Sequence, residues 1–249
     1  MKLVVCGCSG CMGRMVVKAA EKHEDIEVVG GIDLEKCTEF GFPVVDSAEN
    51  LTIKPEVIID FSNPRALTSL LSYAKNNKIP LVLCTTGLDE TQVEQIKENS
   101  QIIPIFFSGN MSLGINILLK LVKEAAAVLK NDFDIEIIEK HHNRKIDAPS
   151  GTAFMLADEI SDTLKNQVWY SYDRHSRRKP RDKNEIGIHS IRGGNIVGDH
   201  EVIFAGKNEV ITLSHHAQSR EIFADGAIKA ARFLCDKGAG LYCMDDILG

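Results

Sequence analysis

The sequence predicts an α/β chain in which a parallel sheet flanked by helices is followed by an α+β region with a mixed sheet. Three observations carry that expectation. Up to about residue 110, short apolar runs alternate with helical patterns, as in successive βαβ units. Near residue 111 the alternation gives way to one long helical stripe. Beyond residue 185, three strand-like runs follow one another on short turns, which suits antiparallel or mixed pairing.

The elements read as follows. Leu3–Cys6 is an apolar buried-strand run. Met12–Lys22 has helical spacing, with Met12, Met15, Val16 and Ala19 on one face. Ile26–Ile32 is β-rich and ends at Asp33, and Val57–Phe61 is a third strand run. Pro64–Asn77 reads as a helix: Pro64 suits its first turn, and Leu67, Leu70, Leu71 and Ala74 form a stripe. Pro80–Cys84 is a strand, Asp89–Asn99 a helix with Asp89 as N-cap, and Ile102–Phe106 a fifth strand. Ser112–Lys130 is a long helix with Ile115, Leu118, Leu119, Val122, Ala125, Ala126 and Leu129 inward. Asp134–Glu139 is a strand, Gly151–Asn166 a helix, and residues 171–184 a polar loop. Ile186–Ile191, His200–Ala205 and Glu209–Ser214 are the late strands, and Phe223–Lys237 is helical.

Composition excludes several classes. Lys and Arg number 29 against 35 Asp and Glu, a net charge of −6, which argues against nucleic-acid binding through global charge. No apolar run approaches the roughly 20 residues that cross a bilayer. The N-terminal apolar run is too short for a signal peptide, so a cytoplasmic, unprocessed chain is expected. Seven cysteines do not suggest a disulfide framework in such a chain. Cys6, Cys8 and Cys11 have no second Cys-x-x-Cys knuckle to complete a metal site, and no metal is expected.

Gly7-Cys8-Ser9-Gly10-Cys11-Met12-Gly13-Arg14 follows a strand and opens a helix. Glycines admit a close backbone approach, and a helix N-terminus presents free N–H groups to an anion. Asp33, at the end of the second strand, is placed to accept hydrogen bonds from an adenosine ribose. The context is that of a Rossmann-type dinucleotide-binding domain, although Ser9 and Met12 replace two glycines of the strict pattern. A carboxylate at Asp33 repels the extra phosphate of NADPH, so NADH is the expected preference. Lys36 and Arg14 are the nearby cations that leave room for NADPH.

The run Glu139-Lys140-His141-His142-Asn143-Arg144-Lys145-Ile146-Asp147-Ala148-Pro149-Ser150-Gly151-Thr152-Ala153 concentrates chemistry. Clustered His, Arg and Lys can bind a dianionic small molecule and donate protons to it. Ser150, Gly151 and Thr152 precede a helix, so helix-start N–H groups and two hydroxyls make a carboxylate site. Adjacent His141 and His142 point to opposite faces of a strand, which disfavours a shared zinc. A Ser–His hydrolase would need a nucleophile elbow, and none is present.

This run resembles the signature of the 4-hydroxy-tetrahydrodipicolinate reductase (dihydrodipicolinate reductase) family. So do Gly7–Arg14, Asp33, Cys84-Thr85-Thr86-Gly87, Gly109–Asn116 and Phe223-Ala224-Asp225-Gly226-Ala227, in the family's order. The resemblance implies NAD(P)H-dependent reduction of a cyclic unsaturated dicarboxylate, the dehydrated form of 4-hydroxy-tetrahydrodipicolinate, to tetrahydrodipicolinate, on the diaminopimelate and lysine pathway. It implies His141 as acid/base, Lys145 as proton donor, His142 as substrate ligand, and Gly151 with Thr152 as the carboxylate grip. The implied cofactor residues are Gly7, Cys8, Ser9, Gly10, Cys11, Met12, Asp33, Cys84, Thr85, Thr86, Ser108, Gly109, Asn110 and Met111.

The implied organisation is a dinucleotide-binding domain over residues 1–111 and 220–249, with a substrate-binding and tetramerisation domain over 112–219. Four departures from the family bear mainly on the cofactor: Cys11 stands where Arg is frequent, Cys84 where Gly is usual, Met111 where Phe is common, and Asn143-Arg144 in a variable spacer.

The basic run Arg174–Lys183 reads as a solvated loop rather than a nucleic-acid patch, since no aromatic residues interleave it. Two other functions compete: an NADH-sensing regulator, and a dehydrogenase of another small carboxylate. A sensor needs no proton donor, and the Pro149–Thr152 grip favours a dicarboxylate ring.

Overall fold

The computed structural model describes residues 1–35, 39–130, 132–165 and 168–249. Lys36 and Cys37, and the expected helix end at Asn166, lie outside these residues. The chain divides into two compact units, residues 1–113 with 220–249, and residues 114–219.

The first unit is built on strands β1 (Lys2–Cys6), β2 (Glu27–Ile32), β3 (Val44–Val45), β4 (Val57–Asp60), β5 (Leu81–Leu83) and β6 (Pro104–Phe107). Helices α1 (Cys11–Ala20), α2 (Leu67–Asn77) and α3 (Glu90–Ser100) connect them. All neighbouring strands pair in parallel, in the order β3-β2-β1-β4-β5-β6. The chain therefore runs outward from β1 on one side and from β4 on the other. The crevice between their C-terminal ends is the topological switch point, where open α/β sheets place ligands.

Local chemistry explains the helices. Leu67, Leu70, Leu71 and Ala74 are buried on α2 as the stripe requires, and each fully buried leucine is worth about 1.5–3 kcal/mol. A short 3-10 turn, Pro64–Ala66, starts that segment, because Asn63 caps the Arg65 N–H and Pro64 has none to cap. Asp89 caps α3 in a reciprocal capping box with Gln92.

The second unit holds α4 (Leu113–Leu129, whose first residue belongs to the first unit), β7 (Asp134–His141), α5 (Gly151–Thr163), β8 (Trp169–Ser171), β9 (Glu185–Arg192), β10 (Gly198–Ala205) and β11 (Val210–Ala217). Its sheet has the order β11-β10-β7-β9-β8. β10 pairs antiparallel with both neighbours, whereas β7–β9 and β8–β9 are parallel, so the sheet is mixed. One face packs on α4 and α5 through Ile135, Ile137, Leu118, Val122, Leu156, Ile160, Val202 and Phe204.

The chain then returns to the first unit as α6 (Glu221–Cys235), β12 (Gly240–Tyr242) and α7 (Met244–Leu248). β12 adds to β6 in parallel and extends the first sheet to seven strands. Small residues on α6, among them Ala224, Gly226 and Ala227, let it sit tightly on the sheet. A Cβ at Gly226 would lie 1.8 Å from the Met111 carbonyl oxygen.

The basic run is a largely exposed loop, as its composition suggests, but its arginines anchor it. Arg174 pairs with buried Glu185 at 2.7 Å, and Arg181 with Asp134 and Glu136 at 2.9 Å each. Arg177 stacks over Trp169 at 4.7 Å. The acids lie on β7 and β9, so these arginines fasten the segment to the sheet. No helix among the described residues is long and apolar enough to cross a membrane.

Candidate active site

In the first unit, the loop after β1 is a backbone cradle. Gly7 has φ of +78°, and a Cβ there would fall 2.6 Å from the Phe61 carbonyl oxygen. A Cβ at Gly13 would meet the Gly7 oxygen at 2.0 Å, so only glycine lets α1 start directly beneath the loop. Gly10 is the N-cap of α1 and supplies no side-chain acceptor. The first-turn N–H groups are thus left for an anion, at the positive end of the helix. A cradle that side chains would fill, ending in uncapped donors, fits a dinucleotide pyrophosphate.

Two adjoining clefts open along this loop and share Gly10, Phe61 and Ser62. One, of about 390 Å³, is bounded by Cys11, Met12, Cys84–Thr86, Ser108–Met111 and Phe223. The other, of about 670 Å³, is bounded by Gly7, Ser9, Asp33, Leu34, Arg65 and Ser69. Asp33 accepts hydrogen bonds from the Ser9 N–H at 2.9 Å and the Glu35 N–H at 3.2 Å, so it also braces the loop. The Arg14 Nε donates to the Ser9 oxygen at 2.9 Å and its Nη1 lies 2.7 Å from Glu39. Arg65, a cation the sequence reading passed over, lines the cleft that holds Asp33.

Cys8 requires a correction. Its side chain is fully buried and packs so closely that a Cβ on Gly31 would lie 2.5 Å from its Sγ. The thiol belongs to the core, and Cys8 lines neither cleft. Cys84 does line the smaller cleft, and burial, reinforced by the Asp60 charge, pushes its thiol pKa well up, so it is neutral. Ser108 Oγ donates to the Asn110 oxygen at 3.1 Å, and Asn110 Oδ1 accepts from the Ser112 N–H at 2.8 Å. These bonds fold Ser108–Met111 onto itself after β6.

In the second unit, β7 alternates its faces, so Ile135, Ile137, Glu139 and His141 all point toward the helices. Glu139 has no solvent exposure. Its Oε2 lies 2.6 Å from His141 Nδ1. Arg192 forks onto it, with Nη1 at 2.8 Å from Oε2 and Nη2 at 2.7 Å from Oε1, and the Ser150 N–H donates to Oε1 at 3.2 Å. Burial alone would raise the Glu139 pKa. The hydrogen bonds from His141, Arg192 and Ser190 outweigh it and hold the carboxyl far below the usual range. An ionised carboxylate only accepts, so His141 Nδ1 carries the proton and Nε2 is the exchangeable nitrogen. A Cβ on Gly198 would stand 3.1 Å from that Nε2, so glycine leaves room beside it.

His200 lies opposite Glu139 in the β7–β10 register. Its ring sits edge-on to His141 at 5.2 Å, and its Nε2 is 3.0 Å from Ser150 Oγ. Burial, and then the neighbouring His141, lower its pKa to about 4, so it is neutral near pH 7. Ser150 Oγ also accepts from the Ala153 N–H at 3.2 Å. Its hydroxyl is buried and engaged, so Ser150 is the N-cap of α5, a role the sequence leaves compatible with a ligand role. Gly151 and Thr152 form the first turn of α5 and are accessible.

Lys145 Nζ lies 2.9 Å from Asp147 Oδ1, and that hydrogen bond holds the Asp147 carboxyl below its usual range. The Lys145 N–H donates to the His142 oxygen at 3.1 Å, a turn that gathers the two just past β7. Lys140 points the other way, to Glu201 at 2.6 Å. No group of three or more His, Cys, Asp or Glu among the described residues is arranged to hold a metal.

The sequence reading assigned no role to Glu139, Arg192, His200 or Gly198. The Glu139–His141 spacing of two on a strand was a usable signal. Arg192 and His200 had none, because only strand register brings them in.

Comparison with known proteins agrees across the chain. Residues 1–111 match the family model described as dihydrodipicolinate reductase, N-terminus, and residues 114–248 the model for its C-terminus. A 4-hydroxy-tetrahydrodipicolinate reductase of Clostridium novyi is 49% identical, covering 99% of this chain and 98% of that protein. One from Caldanaerobacter subterraneus is 51% identical, covering 100% and 98%. Among solved structures, a dipicolinate-bound dihydrodipicolinate reductase from Paenisporosarcina superposes with a TM-score of 0.82 at 25% identity, covering 98% of this chain and 97% of that one. A probable dehydrogenase from Thermotoga maritima shares the fold alone, with a TM-score of 0.64 at 11% identity.

Proposed function

The chain belongs to the dihydrodipicolinate reductase family, and from that membership we propose how its residues divide the work. Its activity is the NAD(P)H-dependent reduction of the dehydrated form of 4-hydroxy-tetrahydrodipicolinate to tetrahydrodipicolinate, a step toward diaminopimelate and lysine. The reading as a cofactor sensor without turnover is set aside, because these relatives are reductases.

The reduced nicotinamide, when bound, supplies the hydride. In the loop Gly7–Met12, the N–H groups at the start of α1 would take the pyrophosphate while the glycines admit it closely, Asp33 would take the adenosine ribose, and Cys84–Thr86 with Ser108–Met111 the nicotinamide half. NADH is the preferred form: Asp33 repels a ribose phosphate, and Arg14 is spent on Glu39. Arg65 leaves NADPH usable as a second reductant.

The first turn of α5, at Gly151 and Thr152, grips one substrate carboxylate with N–H groups and the helix dipole. His142 holds the second. Lys145, aimed by Asp147, stabilises the negative charge that builds on the ring and donates a proton. His141 exchanges protons through Nε2, while Glu139 fixes its tautomer and steadies the imidazolium. The observation that carries this reading is the fully buried Glu139, which joins His141, Arg192 and the Ser150 N–H in one constellation.

The outer face of the second sheet exposes Ile191 and leaves Ile138 and Ile203 half-covered, which supports assembly of a homotetramer through that sheet. A cytoplasmic location follows from the metabolic role.

The test is an assay of reduced-nicotinamide absorbance with the hydroxy substrate generated in situ, together with light scattering. Substrate-dependent NADH loss and a mass four times that of the chain are expected. Absence of substrate-dependent oxidation would end the functional reading, and a monomer the assembly.

A further inference from the structure

The last residue of β4 is a buried carboxylate that the mechanism above does not use. Asp60 is 1% exposed and lies between the ends of β1 and β5, at the switch point of the sheet. Its Oδ1 accepts from the Ser62 N–H at 3.0 Å and from the Ser62 hydroxyl at 2.5 Å. Its Oδ2 accepts from the Thr85 hydroxyl at 2.7 Å, and the Cys6 thiol adds a further hydrogen bond. Burial pushes its pKa up, and the donors converging on both oxygens work against that and favour the carboxylate. Ser62 and Thr85 lie on two different loops, yet both line the 390 Å³ cleft.

A hydroxyl has one hydrogen. Once it is given to Asp60, only lone pairs are left for the cleft. Ser62 and Thr85 therefore form an acceptor wall, opposite in character to the donor-rich start of α1 in the same cleft. An anionic group is drawn to the helix and refused by the wall. A neutral hydrogen-bond donor is taken by the wall.

We infer that Asp60 is a positioning residue that sets cofactor orientation and specificity, turning Ser62 and Thr85 into acceptors for a donor on the nicotinamide half. That donor is the carboxamide N–H or a hydroxyl of the adjoining ribose. The inference rests on reading this cleft as the dinucleotide site.

The test measures dissociation constants by fluorescence titration for NADH, ADP-ribose, ADP and reduced 3-acetylpyridine adenine dinucleotide, whose acetyl group lacks the carboxamide donors. Asp60→Asn places an amide donor against one hydroxyl and turns that hydroxyl's hydrogen toward the cleft. Asp60→Asn is expected to weaken NADH about tenfold or more, roughly one hydrogen bond to a polar partner, while ADP changes less than twofold. If the donor is the carboxamide, wild type discriminates against the acetylpyridine analogue and Asp60→Asn does not. If it is the ribose, ADP-ribose weakens along with NADH. Thr85→Val, which keeps the shape and removes the lone pairs, should repeat the pattern and serves if Asp60→Asn does not fold. Unchanged NADH affinity in the folded variants, or equal loss for NADH and ADP, overturns the inference. Failure of the wild type to bind NADH would instead overturn the reading of the cleft.

Discussion

Glu139 Oε2 stands 2.6 Å from His141 Nδ1, and the carboxylate that makes this contact has no exposure to water. The same carboxylate receives both terminal nitrogens of Arg192. One residue thus sets the imidazole tautomer and neutralises a guanidinium that is itself largely covered. Chemistry and stability meet in it.

Glu139→Gln should expose both roles. Breaking a buried pair from one side typically costs about 3–5 kcal/mol, because the remaining charge is left uncompensated. Thermal melting should fall by several degrees. The amide also no longer holds the imidazole Nδ1–H with a charge, so kcat should fall as well. A variant with wild-type melting and wild-type kcat would contradict the structural assignment.

Acid should destabilise the fold in two windows. The folded Glu139 pKa is depressed below the ordinary value of about 4.3, so its contribution is complete above that pH and is lost as pH falls through and below it. His200 is buried neutral, with its pKa lowered from 6.5 to about 4. Its contribution is complete above pH 6.5 and drains away toward pH 4. Melting temperature measured from pH 7 to pH 4 should therefore decline, and His200→Leu should flatten that decline while leaving the steeper loss below about 4.3. An unchanged slope in the variant would remove His200 from the account.

His141→Ala and Lys145→Ala should each lower kcat by roughly 10²–10⁴, the usual size of a general-acid contribution. NADH affinity should stay near wild type in both, since neither belongs to the cofactor unit. Gly198→Ala is a gentler probe. Its methyl would crowd His141 Nε2 at 3.1 Å, so kcat should drop with little loss of stability. Near-normal turnover in both alanine variants would refute the assigned roles.

Cofactor choice turns on Asp33 against Arg65. Asp33→Ser should raise the NADPH/NADH ratio of kcat/KM by roughly tenfold, about one charge contact. Arg65→Ala should lower it. A wild-type ratio that favours NADPH by more than tenfold would refute the expected NADH preference.

Much of this protein was legible in one dimension because its signals are local. The glycine loop followed by a helix, Asp33 closing a strand, the α2 stripe, the Asp89 cap and the His–His…Lys…Ser-Gly-Thr run all lie within a few turns of chain. Periodicities of 3.6 and 2 report them directly. Strands β3, β8 and β12 escaped notice because two or three residues carry no readable period. What only the tertiary structure decided is which distant residues meet. Arg192 lies across from His141, and His200 across from Glu139, because β7 pairs with β9 and with β10 in particular registers. A slip of one residue would turn each of these side chains to the opposite face of the sheet. The same holds for Asp60, whose hydroxyl partners come from the ends of two strands, and for Cys8, which fell to the core once β2 packed against it. Local sequence determines the elements and the chemistry they carry. Long-range strand pairing, driven by burial of one sheet face, decides which charges are buried together.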